Sequence, residues 1–302
     1  MDLIYLNLHV PKLVKRNPSG CRDLHSEKHR EHLAKGLTYR DLLSDTLPRD
    51  LFEKLPRSFD IVGDIAIIRI DEKELLRYGV EISSAIMKIH KRVRAVYARG
   101  PARGSLRIQQ LEHLGGERRT ETVYKENGLR FSVDIAKMYV NPRLGSERLR
   151  IAMDIKDGEF VLDMFSSYGA FAINIARIKR CLVVASDINS DAVTHMRRSI
   201  YMNKLLGEVM PLVSDANTMP LRGVFTTVIA DNPTNILESV EAITNALVKG
   251  GRAYIYALTD EPEAMGREIE RSSGSRLAIK SYYKVKEYSP RLNIYRYLAI
   301  RV

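Results

Sequence analysis

Cysteine is nearly absent: Cys21 and Cys181 are the only two in 302 residues. Two are too few for a disulfide framework or a cysteine-ligated metal cluster, and Cys181, which opens an apolar run, reads as a small buried filler. No apolar run approaches the length of a membrane span, and Met1-Asp2-Leu3-Ile4-Tyr5-Leu6 lacks the charged start and long apolar middle of a signal peptide. Internal repeats and low-complexity segments are missing as well. What remains is a cytoplasmic globular protein, long enough for a full core and divided into two domains.

Acid is short relative to base, and unevenly so. The net charge is +11, and residues 1–150 hold 29 Lys/Arg against 20 Asp/Glu, whereas residues 151–302 hold 19 against 17. A basic first half steers a polyanion while a nearly neutral second half suits a small ligand, although a basic surface also serves solubility alone. The strongest run spans residues 88–107, with Lys88, Lys91, Arg92, Arg94, Arg99, Arg103 and Arg107 and no acid. Gly100 and Gly104 within it let backbone approach a phosphate closely, which favours nucleic acid over a merely solvated face.

The rest of the chain is organised around residues 160–171. Phe160 to Asp163 reads as a short buried strand, followed by a tight turn at Gly169 and a helix from Ala170 to Arg180. A second apolar run from Cys181 to Ala185 ends in Ser186-Asp187. Strand, turn, helix and an acid-tipped strand form the first half of a nucleotide-binding α/β unit, the acid serving ribose hydroxyls. The turn lacks the three-glycine pyrophosphate fingerprint, so an adenosine without phosphates, as in S-adenosylmethionine, fits better than a dinucleotide.

Upstream, residues 1–37 form a short basic segment, and 38–140 a small α+β RNA-binding domain. A helix is expected over Thr38–Leu55 with an interruption at Pro48, strands over Ser58–Ile70, and a helix over Leu75–His90. Further strands are expected at Leu106–Leu114, Thr120–Glu126 and Leu129–Asp134, the last two joined by the hairpin signal Asn127-Gly128. Residues 141–302 continue in α/β rhythm, with helices at Ser190–Asn203 and Ile236–Val248, the latter stopped by Gly250-Gly251. Strands at Val209–Val213, Thr227–Ala230 and Ala253–Ala257 precede a closing antiparallel pair, which predicts a Rossmann-like, mostly parallel sheet.

In such a sheet ligands lie beyond the carboxyl ends of the strands. Four successive tips bring Asp163, Asp187, Asp215 and Asp231 to that edge, with Phe165, Gly169, Ile188 and Ala216 beside them. Asp187 suits the ribose hydroxyls and Asp215-Ala216 the adenine amine. A lone Asp at a strand end is usually a helix cap or turn residue, but four together exceed what a fold needs. Asp231-Asn232-Pro233 can set side-chain and backbone carbonyls against a planar nitrogen donor, as in enzymes that hold a nucleobase for methyl transfer, or it is an ordinary Asn-Pro turn.

The motifs Asp163–Phe171, Ser58–Asp64, Met138–Arg148 and Glu287–Arg291 together resemble the archaeal and eukaryotic tRNA (guanine-37 N1)-methyltransferases over roughly residues 38–302. Their sister family, the aminocarboxypropyltransferase of wybutosine synthesis, shares the pattern. The resemblance implies S-adenosylmethionine as cofactor, the tRNA anticodon loop as partner, no membrane association and a monomer. It further implies Glu147 as the general base removing the N1 proton, with a pKa raised by partial burial, and Arg107 as the hydrogen-bond donor to O6. By the same resemblance Arg143 and Arg148 hold tRNA phosphate or order their loop, with Lys91, Arg94 and Arg103 on the RNA side. An ion pair of Glu147 with Arg143 or Arg150 at helical spacing is the plainer alternative. Three departures stand out: Ser166-Ser167-Tyr168 replaces a glycine-rich turn, so Tyr168 narrows the cofactor pocket or stacks on adenine. Asp231 stands where the family has Asn, which leaves open a second proton acceptor or a wyosine-type substrate. Residues 1–37 are shorter than the family's usual amino-terminal domain.

Overall fold

Pro48 does not break a helix but starts one. In the computed structural model, which describes residues 36–103 and 108–302, Pro48 is the N-cap of α1 (Arg49–Lys54), and among the described residues only a 3-10 turn at Asp41–Leu43 precedes it. The expected long helix over Thr38–Leu55 is therefore two short pieces, because Pro fixes its own backbone for a first turn and supplies no N–H to a preceding one.

The first sheet has the order β1-β2-β3-β4, from β1 (Asp60–Val62), β2 (Ile65–Arg69), β3 (Ala95–Arg103) and β4 (Ile108–Gly116), with α2 (Gly79–Ile89) connecting β2 to β3. A 3-10 turn over Lys73–Tyr78 takes the first part of the expected helix. Strand β2 is apolar at four consecutive positions because both its faces are covered. Ile65 and Ile67 join one core, and Ala66 and Ile68 another beneath α1 and α2. Ala95 and Tyr97 on β3 alternate with Val96 and Ala98 in the same way. The basic run thus conceals a strand: its even spacing of small apolar residues is masked by the charges between them. Its backbone pairs with β2 in parallel and β4 in antiparallel, with an irregularity between Arg99 and Ala102 around Gly100.

A hairpin of β5 (Glu121–Glu126) and β6 (Leu129–Asp134) follows. Asn127 and Gly128 both have positive φ, 51° and 77°, the left-handed pair that this two-residue turn requires. After a 3-10 turn at Pro142–Leu144, α3 (Gly145–Asp154) leads to the second sheet.

That sheet comprises β7 (Phe160–Asp163), β8 (Leu182–Asp187), β9 (Glu208–Val213), β10 (Phe225–Ala230), β11 (Leu247–Thr259), β12 (Leu277–Ser289) and β13 (Leu292–Arg301). Its order is β12-β13-β11-β10-β7-β8-β9, with β13 antiparallel to both neighbours and the rest parallel. Helices α4 (Ala170–Ile178) and α5 (Ser190–Tyr201) lie on one face with α3, while α6 (Val240–Ala246) and α7 (Pro262–Ser272) cover the other. This is the doubly wound, Rossmann-like arrangement expected. Helix α6 ends at Ala246 rather than Val248, since Leu247 already pairs with Phe225 and Gly250-Gly251 falls inside the β11 span. Helix α7 had no counterpart in the sequence reading.

Residues Tyr39–Val302 form one compact unit. Among the described residues no helix is long and apolar enough to cross a membrane.

Candidate functional site

Strand order in the second sheet reverses between the parallel neighbours β7 and β10: β8 and β9 lie to one side, β11 to the other. Loops leaving the two central strands diverge there and open a crevice at their carboxyl ends. A cleft of about 500 Å³ occupies this place. Among its lining residues are Phe165, Asp187, Ile188, Asp215, Ala216, Asp231, Asn232 and Pro233, all expected from the sequence, and Arg148.

The turn after β7 is built from serines in place of glycines. Ser167 takes a left-handed φ of 48°. Its N–H donates to Asp187 Oδ2 at 2.7 Å and its hydroxyl to the Tyr139 carbonyl at 3.2 Å, bonds that hold an uncommon conformation for a residue with a Cβ. Across the tips of β7 and β8 the Ser166 hydroxyl donates to the Ser186 carbonyl at 2.9 Å, and the Ser186 hydroxyl to the Met164 carbonyl at 3.0 Å. Gly169 follows at φ +83° and caps α4; a Cβ on it would lie 2.5 Å from Met196 Cγ. Gly169 is therefore demanded by the turn and by a close side chain, and it does not line the cleft.

Tyr168 is buried and lines the cleft. Its ring is buried edge-on against Phe131, centroids 5.5 Å apart, and lies under the Arg148 guanidinium at 5.8 Å. Arg148 itself is buried, bonding Glu126 Oε2 at 2.5 Å and the Asn141 carbonyl at 3.0 Å. These bonds tie the Asn141 loop to the hairpin, and Arg148 also lines the cleft. Glu126 also accepts from Tyr124 at 2.7 Å and Asn174 at 3.2 Å, so one polar network ties the hairpin to α3 and α4. The sequence reading missed Glu126, which looks like an ordinary end-of-strand charge until its partners converge from distant segments.

Each oxygen of Asp187 accepts one backbone N–H, from Asn189 at 2.8 Å and Ser167 at 2.7 Å. Burial raises its pKa against those two bonds. A carboxylate has about four acceptor sites, so lone pairs remain for a diol in the cleft. Asn189, another residue not foreseen, caps α5 and donates to the Lys137 carbonyl at 2.7 Å while lining the cleft. Asp215 is exposed and accepts from Asn217 N, and Ala216 beside it is buried. Ile188 remains 57% exposed, an apolar surface facing a polar rim.

Asp163 is fully buried and accepts from Ala172 N at 3.3 Å through Oδ2, while Oδ1 has no partner. Burial first, and then the Asp231 charge, push its pKa up to about 8. Asp163 is not part of the cleft lining; it supports the floor beneath it.

Glu147 lies in the first turn of α3. It is buried, accepts from Tyr256 Oη at 2.9 Å and pairs with Arg296 at 2.5 Å, and it does not line the cleft. Arg150 stands at 3.8 Å, and Arg143 is engaged elsewhere, with Asp60 at 2.7 Å. Nothing in the local sequence announces Arg296 or Tyr256, which come from β13 and β11. Lys91 and Arg94 are exposed between α2 and β3. Arg107 and the side chain of Arg103 lie outside the described residues, as do residues 1–35.

Comparison with known proteins agrees with this geometry. Residues 122–282 match the family model described as TRM5/TYW2 methyltransferase domain, and residues 39–120 match TYW2 N-terminal domain. The chain is 36% identical over 261 residues to the tRNA (guanine(37)-N(1))-methyltransferase Trm5b of Pyrococcus abyssi, covering 84% of this chain and 77% of that protein. Two solved structures superpose closely. One is a complex of aTrm5 with tRNALeu, at TM-score 0.77 and 30% identity over 88% of this chain and 78% of that one. The second is Methanocaldococcus jannaschii Trm5 with adenosine, at 0.75 and 29% over 87% and 78%. With both family models covering consecutive stretches and the cleft at the switch point of the matched fold, the chain belongs to the TRM5/TYW2 methyltransferase family.

Proposed function

We propose that this protein transfers a methyl group from S-adenosylmethionine to N1 of guanine 37 in tRNA. The observation that carries this reading is the cleft at the β7/β10 switch point, where an acid for ribose and the Asp231-Asn232-Pro233 tip line the same cavity. S-adenosylmethionine supplies an electrophilic methyl there. The residues present fit it: the spare lone pairs of Asp187 face a ribose diol, Ile188 and Ala216 offer apolar contact to adenine, and Asp215 accepts from its amine. The relatives named for guanine-37 methylation and the neighbour holding tRNA support the substrate class.

In this reading residues 38–140 grip the tRNA, and exposed Lys91 and Arg94 neutralise phosphates with Arg103. Arg143 steadies the loop on Asp60, and Arg107 donates to guanine O6, stabilising the charge that gathers there as N1 is deprotonated. The protein works as a cytoplasmic monomer. One observation favours a second reading, aminocarboxypropyl transfer, namely the match of residues 39–120 to the TYW2 N-terminal domain.

Labelled S-adenosylmethionine with tRNA transcripts carrying G or A at position 37 tests the proposal. Methyl label is expected on the G37 transcript alone. Equal labelling of the A37 transcript contradicts the substrate assignment.

A further inference from the structure

The hairpin of β5 and β6 carries a charge conflict at its open end. Its register sets Glu121 directly opposite Asp134, and like charges facing each other across a strand pair destabilise it. His195 on α5 completes a cluster with these two: one ligand atom from each residue lies within 4.8 Å of the others. The three residues come from three elements, and none of them lines the cleft. His195 and Asp134 are each 3% exposed. The Glu121 side chain is 58% exposed, which leaves a way in from solvent.

The imidazole is oriented through its other nitrogen. His195 Nδ1 and the Ser132 hydroxyl stand 2.8 Å apart. Nε2 faces Glu121 Oε1 at 3.8 Å, too far for a hydrogen bond, and has none among the described residues. With Nδ1–H donating to Ser132, Nε2 presents a lone pair, as a metal-ligating histidine does when an outer partner fixes its tautomer. Burial lowers the His195 pKa, so its approach to Glu121 is not an ion pair at neutral pH. Two further charged pairs border the cluster. Arg198 stands 3.5 Å from the second Glu121 oxygen, an exposed and weak pair, and Lys137 holds Asp191 at 3.1 Å. Asp134 Oδ1 accepts from Ala136 N at 2.9 Å.

We propose that Glu121, Asp134 and His195 Nε2 bind a divalent metal ion of the zinc type, which clamps the open end of the hairpin to α5. One imidazole with two carboxylates suits zinc, whose bonds to nitrogen and oxygen are about 2.0–2.2 Å. Donors sharing such an ion in a tetrahedron stand about 3.4 Å apart, so small side-chain adjustments close the cluster and solvent takes the fourth position. The dication turns the repulsion between Glu121 and Asp134 into shared attraction. Elsewhere the hairpin is already fastened. Ser132 N donates to Ser199 Oγ at 2.9 Å, and the Asn203 side chain bonds the N–H and carbonyl of Arg130, near the turn, at 2.9 and 2.7 Å. The ion supplies the matching tie at the opposite end.

The test uses the full chain, stripped with a chelator and dialysed. Zinc chloride is titrated calorimetrically into wild type, Glu121→Gln and His195→Gln, and the thermal midpoint of each is measured with and without zinc. Wild type is expected to take up one equivalent at this site and to melt at a higher temperature with zinc bound. Either substitution is expected to weaken that binding by about 100-fold and to remove the rise in midpoint. Glu121 is exposed, so Glu121→Gln leaves the core intact and gives a reading even where His195→Gln fails to fold. Wild type that binds no zinc overturns the site. So does a Glu121→Gln chain that binds zinc as tightly as wild type, which would place the ion at other surface groups.

Discussion

Asp163 shows how a single carboxyl couples the cleft to stability. Its pKa stands at about 8 in the fold, raised by burial and by Asp231, against an ordinary value of 3.8. The folded state therefore keeps a proton that the unfolded chain gives up above pH ~4. Its stabilising contribution is present below the unfolded pKa and is lost as pH rises through the folded one, so stability falls between about pH 4 and pH 8. Asp163→Asn, which is neutral throughout, is expected to flatten this part of the stability curve by a few kcal/mol, since each tenfold change in proton affinity is worth roughly 1.4 kcal/mol. Urea denaturation of both proteins across that range checks it, and parallel curves would contradict it.

Elements differ in how plainly their residues announce them. Gly169 belongs to the turn between β7 and α4, where φ is +83° and Met196 fills the space a Cβ would take. Gly169→Ala is expected to destabilise the protein by about 2–4 kcal/mol through backbone strain and overpacking, measured as a shift of the denaturation midpoint. A midpoint unchanged from wild type would show that the turn relaxes. This turn, the hairpin at Asn127-Gly128 and the β7–β8 unit were legible because each is fixed by residues close in sequence. Strand β3 was not, since its alternating Ala95, Val96, Tyr97 and Ala98 lie among arginines whose charge dominates the local pattern. At the site, the tips Asp187, Asp215 and Asp231 could be read from strand ends. The partners of Glu147 could not: Arg296 lies 149 residues away and Tyr256 109. That pairing is set by the folded sheet, while Arg150, close in sequence, stands farther off at 3.8 Å.

At the scale of the molecule, two sheets divide the work. The first is covered on both faces, one core shared with the hairpin and the second sheet, the other closed by α1 and α2. The second sheet holds the cleft at its switch point. The surplus of positive charge lies in the half that contains the first sheet, with 29 Lys/Arg against 20 Asp/Glu in residues 1–150. That surplus favours the approach of a polyanion to this half of the chain. The most direct test of this account is the mass and identity of the nucleoside at position 37 after a G37 transcript is incubated with S-adenosylmethionine and digested. The account predicts N1-methylguanosine. An aminocarboxypropyl adduct, or methyl on another nucleoside with position 37 unmodified, would contradict it.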